Sequence, residues 1–206
     1  MPQGQLFVIS APSGAGKTSL VAATIARVRD LAVSVSHTTR SPRPGEIDGR
    51  NYHFVEQSEF ENLIASSSLF EYAKVFGNFY GTKKEDVEAQ LAAGTDIILE
   101  IDWQGAAQVR EMAPEAVSIF ILPPSREALR ERLIGRKQDD ALIIGSRMAE
   151  ADETIKQAPH FDYWVINDDF EIALEQLKSI IVSHRQRRPQ IQSKHPNFLE
   201  KLLGQP

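Results

Sequence analysis

A short run of small residues that ends in a lysine and a threonine lies near the amino terminus. Its members are Ala11, Pro12, Ser13, Gly14, Ala15, Gly16, Lys17 and Thr18. Successive backbone N–H groups in such a loop, followed by the amino terminus of a helix, form a concave site for an anion. Lys17 is then expected to reach the terminal phosphates of a nucleoside triphosphate, and the Thr18 hydroxyl to bind the Mg²⁺ that bridges them. The run predicts a phosphate loop, residues 11–18.

The flanking sequence decides between this interpretation and a glycine-rich turn that merely caps a helix. Residues 6–9 form an apolar run typical of a buried strand, and residues 19–25 have the composition of a helix. Strand, loop and helix in this order are the context that a phosphate loop requires. One residue departs from the usual motif, because Ala11 stands where the first glycine belongs. Alanine fits there only with a negative φ.

A second candidate for phosphate binding is a proline-stiffened loop that carries Arg40 and Arg43. Guanidinium groups suit phosphate oxygens, and a stiff loop loses less entropy when it closes on one. Two arginines on a loop are equally typical of a solvated surface. Tyr52 and Tyr80 offer hydroxyl groups to the same phosphate, although composition alone fits them equally well as core aromatic residues.

The elements that must position these residues alternate between strand and helix. Strand-like runs lie at 32–37, 96–101, 117–122 and 163–166, and helical patterns at 103–112, 125–133 and 141–157. Together with the first strand, this alternation predicts an α/β fold with a doubly wound, parallel five-stranded core sheet. Such sheets bind ligands beyond the carboxyl ends of their strands, where the phosphate loop, Ser36, Asp102 and Asn167 fall. We therefore expect one shared cleft.

The rhythm of the sequence changes between residues 37 and 94, where short aromatic runs surround a helix predicted over 58–65 with Ser58 as its cap. We expect a small mixed α/β insertion with an antiparallel sheet. The polar run 136–140 between two helical patterns predicts a mobile lid. One domain is expected overall. Its predicted parts are a core (1–36, 95–123 and 158–188), an insertion (37–94), a lid (124–157) and a carboxyl-terminal tail (189–206).

Composition narrows the class of protein. The chain has 206 residues, of which 42% are hydrophobic, and a net charge of −5 that offers no positive field to nucleic acid or anionic membranes. The absence of cysteine excludes disulfides and thiolate zinc sites, and the five histidines show no metal-ligand spacing. We see neither a signal-peptide pattern nor an apolar run near the ~20 residues of a membrane span. We expect a cytoplasmic protein with no nucleic-acid or membrane partner.

Five motifs in register carry a resemblance to a known family. They are 11–17, 36–40 with 42–46, 77–82, 101–105 and 165–169. With these motifs the chain resembles guanylate kinases of the bacterial type, from about residue 5 to a helix ending near residue 184. The resemblance implies a P-loop fold with a monophosphate-binding insertion (37–94) and a helical lid. It also implies transfer of the ATP γ-phosphate to GMP and to dGMP, with Mg²⁺ as cofactor, and it allows a homo-oligomer.

The resemblance also implies roles for individual residues. The GMP phosphate is expected at Arg40, Arg43, Tyr52 and Tyr80, and the guanine at Ser36, Glu71, Thr82 and Asp102. ATP is expected at the phosphate loop, with Asn167 and Asp168 beside the adenine. The residues expected to act on the transferring phosphoryl group are Lys17, Arg40, Arg43, Arg136 and Arg147. Thr18 is the expected metal ligand, and Asp102 fits a supporting role near Mg²⁺ as well as it fits guanine.

Three residues depart from the family pattern. Thr82 replaces a serine, Glu100 stands where other members have aspartate, and Lys137 replaces a glycine of the lid. The first two changes keep the hydroxyl and the carboxylate. Lys137 removes a flexible residue from the lid, so the lid is the part of the pattern that this chain follows least closely.

Three other functions share parts of this pattern. A kinase of the same fold that acts on a phosphorylated sugar would keep Lys17, but it has no use for a guanine-reading carboxylate such as Glu71. A non-catalytic scaffold module of guanylate-kinase type binds phosphopeptides and lacks the loop lysine. A regulatory GTPase requires an Asn-Lys-x-Asp motif, which residues 167–169 do not supply. Lys17 and Glu71 together therefore favour the nucleotide kinase.

Overall fold

Two sheets and the helices around them make up the part of the chain that the computed structural model describes, residues 3–75, 77–135 and 141–204. The strands are β1 (Leu6–Ser10), β2 (Leu31–Val33), β3 (His37–Thr38), β4 (His53–Phe54), β5 (Leu69–Val75), β6 (Asn78–Lys83), β7 (Asp96–Glu100), β8 (Val117–Leu122) and β9 (Tyr163–Ile166). The helices are α1 (Lys17–Arg27), α2 (Gln57–Ala65), α3 (Lys84–Ala92), α4 (Trp103–Met112), α5 (Arg126–Ile134), α6 (Ala141–Ile155), α7 (Phe170–Arg185), α8 (Arg188–Lys194) and α9 (Phe198–Leu202). Among these helices none is long and apolar enough to cross a membrane.

The larger sheet has five parallel strands in the order β2-β7-β1-β8-β9. Its strands are continuous apolar runs because helices cover both faces. In β1, Phe7 and Ile9 pack with α1 and α7, whereas Leu6 and Val8 face the cluster that includes α3 and α4. The predicted α/β fold with a parallel five-stranded sheet is confirmed.

The smaller sheet has the order β4-β3-β6-β5. Strand β6 runs antiparallel to β3 and β5, but β3 and β4 are parallel, so the sheet is mixed and the prediction of an antiparallel sheet is wrong for this pair. The sheet is attached to the core along β5, where Gln108 of α4 bonds to both backbone groups of Tyr72 at 3.1 and 2.7 Å. The division into core, insertion, lid and tail stays a prediction.

Two predicted elements differ from the structure, and helix α3 has no predicted counterpart. The strand predicted over 32–37 is broken, because the Ser34 N–H still bonds to Ile98 in the larger sheet while the Ser36 carbonyl accepts from His53 in the smaller one. The helix predicted from Ser58 begins at Gln57, with Glu56 as its N-cap and no side-chain cap bond. Helix α3 was not predicted, since its buried residues are only two, Val87 and Leu91.

Candidate functional site

The phosphate loop connects β1 to α1 at the carboxyl edge of the larger sheet. Gly16 has φ 93° and precedes the first residue of α1, a left-handed conformation that glycine adopts without strain. Behind the loop, Leu129 and Leu133 of α5 lie 3.1 Å from where a Gly14 side chain would begin. Among the described non-glycine residues φ is positive only at Asp30, Ser67 and Asn197, so Ala11 has the negative φ that the motif requires.

Lys17 and Thr18 both contact the end of β7. The Lys17 ammonium donates to the carbonyl of Ile101 at 3.0 Å, and the Thr18 hydroxyl donates to the Glu100 carboxylate. Burial lowers the pKa of Lys17, and the carboxylates of Glu100, Asp102 and Glu71 oppose that shift. A cation surrounded by acids at a helix amino terminus is suited to neutralise phosphate charge.

Oxygen ligands for a divalent cation are present beside this lysine. Mg²⁺ is usually held by one or two carboxylates, by waters and by substrate phosphates rather than by a cage of protein ligands. The hydroxyl of Thr18 and the carboxylate of Glu100, which contact each other, match that donor set. The described residues contain no group of three or more His, Cys, Asp or Glu side chains that could hold a metal ion.

A buried carboxylate lies across from the lysine, on β5. Glu71 is 3% exposed, and its Oε1 accepts a hydrogen bond from the Thr82 hydroxyl at 2.6 Å. Ser36 Oγ lies 3.3 Å from the same hydroxyl. Residue 105 must be glycine here, since a side chain on it would overlap the Glu71 carboxylate. Burial raises the pKa of Glu71 to about 7, although the Thr82 bond and Lys17 act in the opposite direction.

Asp102 lies at the start of α4, and its charge acts on both Lys17 and Glu71. Its Oδ1 accepts from the Gly105 N–H at 2.8 Å, so one oxygen of the carboxylate is the N-cap of the helix. The capping role was not predicted. An aspartate followed directly by a helical pattern is the sequence signal that could have revealed it.

The loop between β3 and β4, residues 39–52, carries the predicted arginines and is called the arginine loop below. Arg40 Nη1 and Nη2 donate to the two Glu46 oxygens at 2.9 and 2.8 Å. The Arg43 N–H bonds to Glu46 at 2.7 Å, and the Arg43 side chain is exposed. The Arg40 guanidinium holds the pKa of Glu46 below its usual range. No role was predicted for Glu46, because no regular period connects it to Arg40.

The Arg40 guanidinium packs over two aromatic rings. The guanidinium carbon is 5.4 Å from the centre of the Tyr52 ring and 5.7 Å from that of Phe54. Tyr80 packs against Tyr52 with ring centres 5.9 Å apart. Burial raises the pKa of Tyr52, and the negative charge of Glu100 contributes. Tyr52, at the end of the arginine loop, therefore lies in the electrostatic field of the residue that Thr18 contacts.

The remaining predicted residues lie at the lid and after β9. Arg136 and Lys137 fall outside the described residues, whereas Arg147 lies half-buried on α6. On the same helix, burial and then Asp102 raise the pKa of Glu150 while Arg147 lowers it, so α6 borders the site. Asn167 is buried and donates to Ala15 of the phosphate loop at 2.7 Å. Asp168 is exposed.

A phosphate loop after the first strand of a parallel sheet, facing a second sheet with a buried carboxylate, defines a class of protein, the P-loop nucleotide kinases. The family model described as guanylate kinase matches residues 3–184. The guanylate kinase of Saccharophagus degradans is 54% identical over 203 residues, covering 98% of this chain and 99% of that protein. The guanylate kinase of Salmonella typhi is 49% identical over 206 residues, covering 99% and 100%.

A solved structure agrees with these sequence relatives. The crystal structure of guanylate kinase from Anaplasma phagocytophilum matches with a TM-score of 0.76 at 33% sequence identity, covering 98% of this chain and 94% of that one. The chain belongs to the guanylate kinase family. The resemblance stated from the five motifs is thereby confirmed.

Proposed function

We propose that this guanylate kinase transfers the γ-phosphate of ATP to GMP, giving ADP and GDP, between the phosphate loop and the smaller sheet. The observation that carries the proposal is the buried Glu71, which lies in the electrostatic field of Lys17. A sugar-phosphate kinase has no use for that carboxylate. A non-catalytic scaffold module does not transfer phosphate and so does not require a lysine buried among acids. The same proposal extends to dGMP as a second acceptor and places the enzyme in the cytoplasm.

On the donor side, the loop N–H groups and Lys17 hold the phosphates of ATP. Thr18 and Glu100 hold Mg²⁺, which when bound neutralises charge on the phosphate oxygens. Phosphoryl transfer passes through a loose transition state, so the protein contributes position and charge rather than a covalent nucleophile. Lys17 suits this work because its ammonium is held at the carbonyl of Ile101, next to Glu100 at the end of β7. Asp168 is assigned to the adenine.

On the acceptor side, Glu71 reads the base of GMP. Guanine presents two adjacent donors, N1–H and the 2-amino group, which an ionised carboxylate accepts as a pair. Adenine has no 2-amino group, and its N1 is an acceptor, so it would leave the buried carboxylate unpaired. The hydroxyls of Ser36 and Thr82 orient that carboxylate, and support for this comes from the bond between Thr82 and Glu71.

The phosphate of GMP is assigned to Arg40, Arg43, Tyr52 and Tyr80. Support comes from the position of Arg40 above the ring of Tyr52, a residue that itself lies in the electrostatic field of Glu100. Arg136 and Arg147 are assigned to the phosphoryl group in transit. For Arg147 the support is the electrostatic coupling of its neighbour Glu150 to Asp102.

The test is a coupled assay of ADP release with GMP, dGMP, AMP and ribose 1,5-bisphosphate as acceptors. For the wild type we expect kcat/KM for GMP to exceed that for AMP at least about a hundredfold, since a charge-assisted bond contributes roughly 1.5–3 kcal/mol and the buried carboxylate that AMP leaves unpaired costs at least as much. Glu71→Gln keeps one acceptor but adds a donor, so kcat/KM for GMP falls sharply and the AMP:GMP ratio rises.

The matched control is Glu88→Gln, which removes the same charge from an exposed position on α3. It should leave both acceptors unaffected. An unchanged AMP:GMP ratio in Glu71→Gln would move guanine recognition to Ser36, Thr82 and Asp102. Turnover of the ribose bisphosphate in preference to GMP would contradict the proposed function itself.

A further inference from the structure

The side-chain amide nitrogen of Asn167 is bonded to the phosphate loop. This residue directly follows β9 and is 6% exposed, and its Nδ2 donates to the carbonyl oxygen of Ala15 at 2.7 Å. Its backbone is fixed as well, because its N–H bonds to Leu122 at 2.8 Å and its carbonyl accepts from Arg132 Nη2 at 2.9 Å. Three polar groups of one residue therefore join β8, α5 and the phosphate loop.

The loop is shaped to receive this amide. A side chain on Gly16 would overlap the Asn167 nitrogen, so the glycine leaves the space that the amide fills. Ala15, whose carbonyl accepts the bond, is itself fully buried. A buried asparagine that fits against a glycine in this way cannot turn toward a ligand without breaking a buried hydrogen bond.

Because a peptide group is planar, the hydrogen bond between Asn167 and the Ala15 carbonyl also affects phosphate binding. In a trans peptide the C=O of one residue and the N–H of the next point in opposite directions. Holding the carbonyl of Ala15 toward Asn167 therefore turns the N–H of Gly16 away from Asn167. An N–H group on the open side of the loop is the donor that an anion site requires. Asn167 thus determines where one phosphate donor points.

We propose that Asn167 is a positioning residue that fixes the Ala15–Gly16 peptide for the triphosphate of the donor nucleotide, and that it does not read the adenine. This inference rests on the proposed ATP site, and it reassigns one residue of it. The affected ligand class is any Mg²⁺-bound triphosphate, whatever base it carries. Without the amide, the peptide is free to rotate and the Gly16 donor loses its direction.

The experiment compares Asn167→Asp and Asn167→Ala with the wild type. Asn167→Asp keeps the size of the side chain but removes the donor, and its carboxylate would repel the Ala15 carbonyl. We would measure KM for ATP and for ITP, which lacks the 6-amino group, and inhibition by inorganic tripolyphosphate, which has no base. Calorimetry gives the Kd for GMP, and hydrogen exchange reports on residues 14–18.

The control is Thr24→Val, which removes another buried bond to a carbonyl, the 2.7 Å bond to Leu20 within α1. We expect both Asn167 variants to weaken ATP, ITP and tripolyphosphate by the same factor, roughly 10- to 100-fold. The Kd for GMP should not change, and exchange should accelerate at Gly16. Thr24→Val should lower the melting temperature without changing any of the three affinities.

Two results would overturn the inference. Weaker binding of ATP with unchanged tripolyphosphate inhibition would make Asn167 an adenine contact. Equal losses for GMP and for the triphosphates, or the same losses in Thr24→Val, would make its role purely structural. The tripolyphosphate measurement does not depend on the acceptor, so a wild type that failed to phosphorylate GMP would contradict the proposed function and leave this test intact.

Discussion

The two loops proposed to bind phosphate are held in place by different forces. The phosphate loop is built into the core, with Ala15 fully buried, Leu129 and Leu133 packed behind it and Asn167 bonded to its backbone. The arginine loop joins two strands of two residues each, and its position depends on the bonds of Glu46 to Arg40 and Arg43. One loop is fixed by packing and the other by charge.

This difference has a consequence for how each substrate would be bound. A packed loop binds without reorganisation, so the donor phosphates would meet a site that already has its final shape. The bidentate ion pair of Arg40 with Glu46 orients the guanidinium, but it holds the arginine loop less rigidly than burial holds the phosphate loop. Because these bonds rather than packing fix the arginine loop, the acceptor loop is the part expected to adjust when Arg40 meets a phosphate. The predictions below test this contrast.

The largest effect is expected from Lys17→Met, which removes the cation of the packed loop. Turnover should fall roughly a thousandfold, equivalent to about 4 kcal/mol, because the charge on the transferring phosphoryl group is no longer neutralised. The Kd for GMP, measured by calorimetry, should not change. Lys178→Met on α7 removes a half-buried lysine that pairs with Glu175 on the same helix, and it serves as the control. A loss of GMP affinity as large as the loss of rate would mean that the two loops are not separate sites.

The second prediction concerns Glu71, the buried acid of the acceptor side, and the dependence of stability on pH. Burial raises its pKa from 4.5 to about 7 in the folded protein. The unfolded chain therefore releases this proton at lower pH than the folded chain does. The contribution to stability is complete below pH 4.5 and is lost as the pH rises toward 7. Glu71→Gln removes the group that ionises, so the variant does not lose this stability as the pH rises.

We expect Glu71→Gln to stabilise the protein more at pH 8 than at pH 5, by about 2 to 3 kcal/mol. In thermal unfolding this corresponds to roughly 5–10 °C for a chain of this size. Glu88→Gln, the exposed control, should give the same small difference at both pH values. A stabilisation by Glu71→Gln that is independent of pH would show that Glu71 is already ionised at pH 5 in the folded state.

The contrast between the loops also explains what could be predicted from the sequence. The larger sheet was predictable because its strands are apolar runs covered on both faces, and the phosphate loop because its residues are consecutive. The break in the strand after Ser34 could not be predicted, because polar and apolar residues alternate in the same way through both halves of 32–37. Strands of two residues, such as β3 and β4, are too short to show a period.

Contacts within the site were the hardest part to predict. Asn167 bonds to a residue 152 positions away, and no local pattern marks such a pair. Glu46 lies in an irregular loop, six residues from Arg40, where neither helical nor strand spacing applies. The need for glycine at position 105 could not be predicted, because it comes from the Glu71 carboxylate, which lies on another element. Motifs identified which residues matter, but only the folded chain gives their partners.

The smallest effect is expected from Glu46→Gln, which weakens the ion pair of the arginine loop. Two consequences oppose each other. Loss of the negative charge strengthens the field that attracts GMP, whereas loss of the second bond leaves Arg40 less well oriented above Tyr52. Side chains at Arg40 and Glu46 are only 13% and 18% exposed, so orientation is expected to outweigh the long-range field.

We therefore expect KM for GMP to rise about 3- to 10-fold in Glu46→Gln, equivalent to roughly 1 kcal/mol, while kcat and KM for ATP stay the same. Asp48→Asn is the matched control, because it removes an equal charge from the same loop at a residue that bonds to the Phe54 N–H rather than to an arginine. A lower KM in both variants would mean that net charge governs GMP binding. A lower KM in Glu46→Gln alone would make Glu46 a competitor of the phosphate, because releasing Arg40 would then improve binding more than orienting it does.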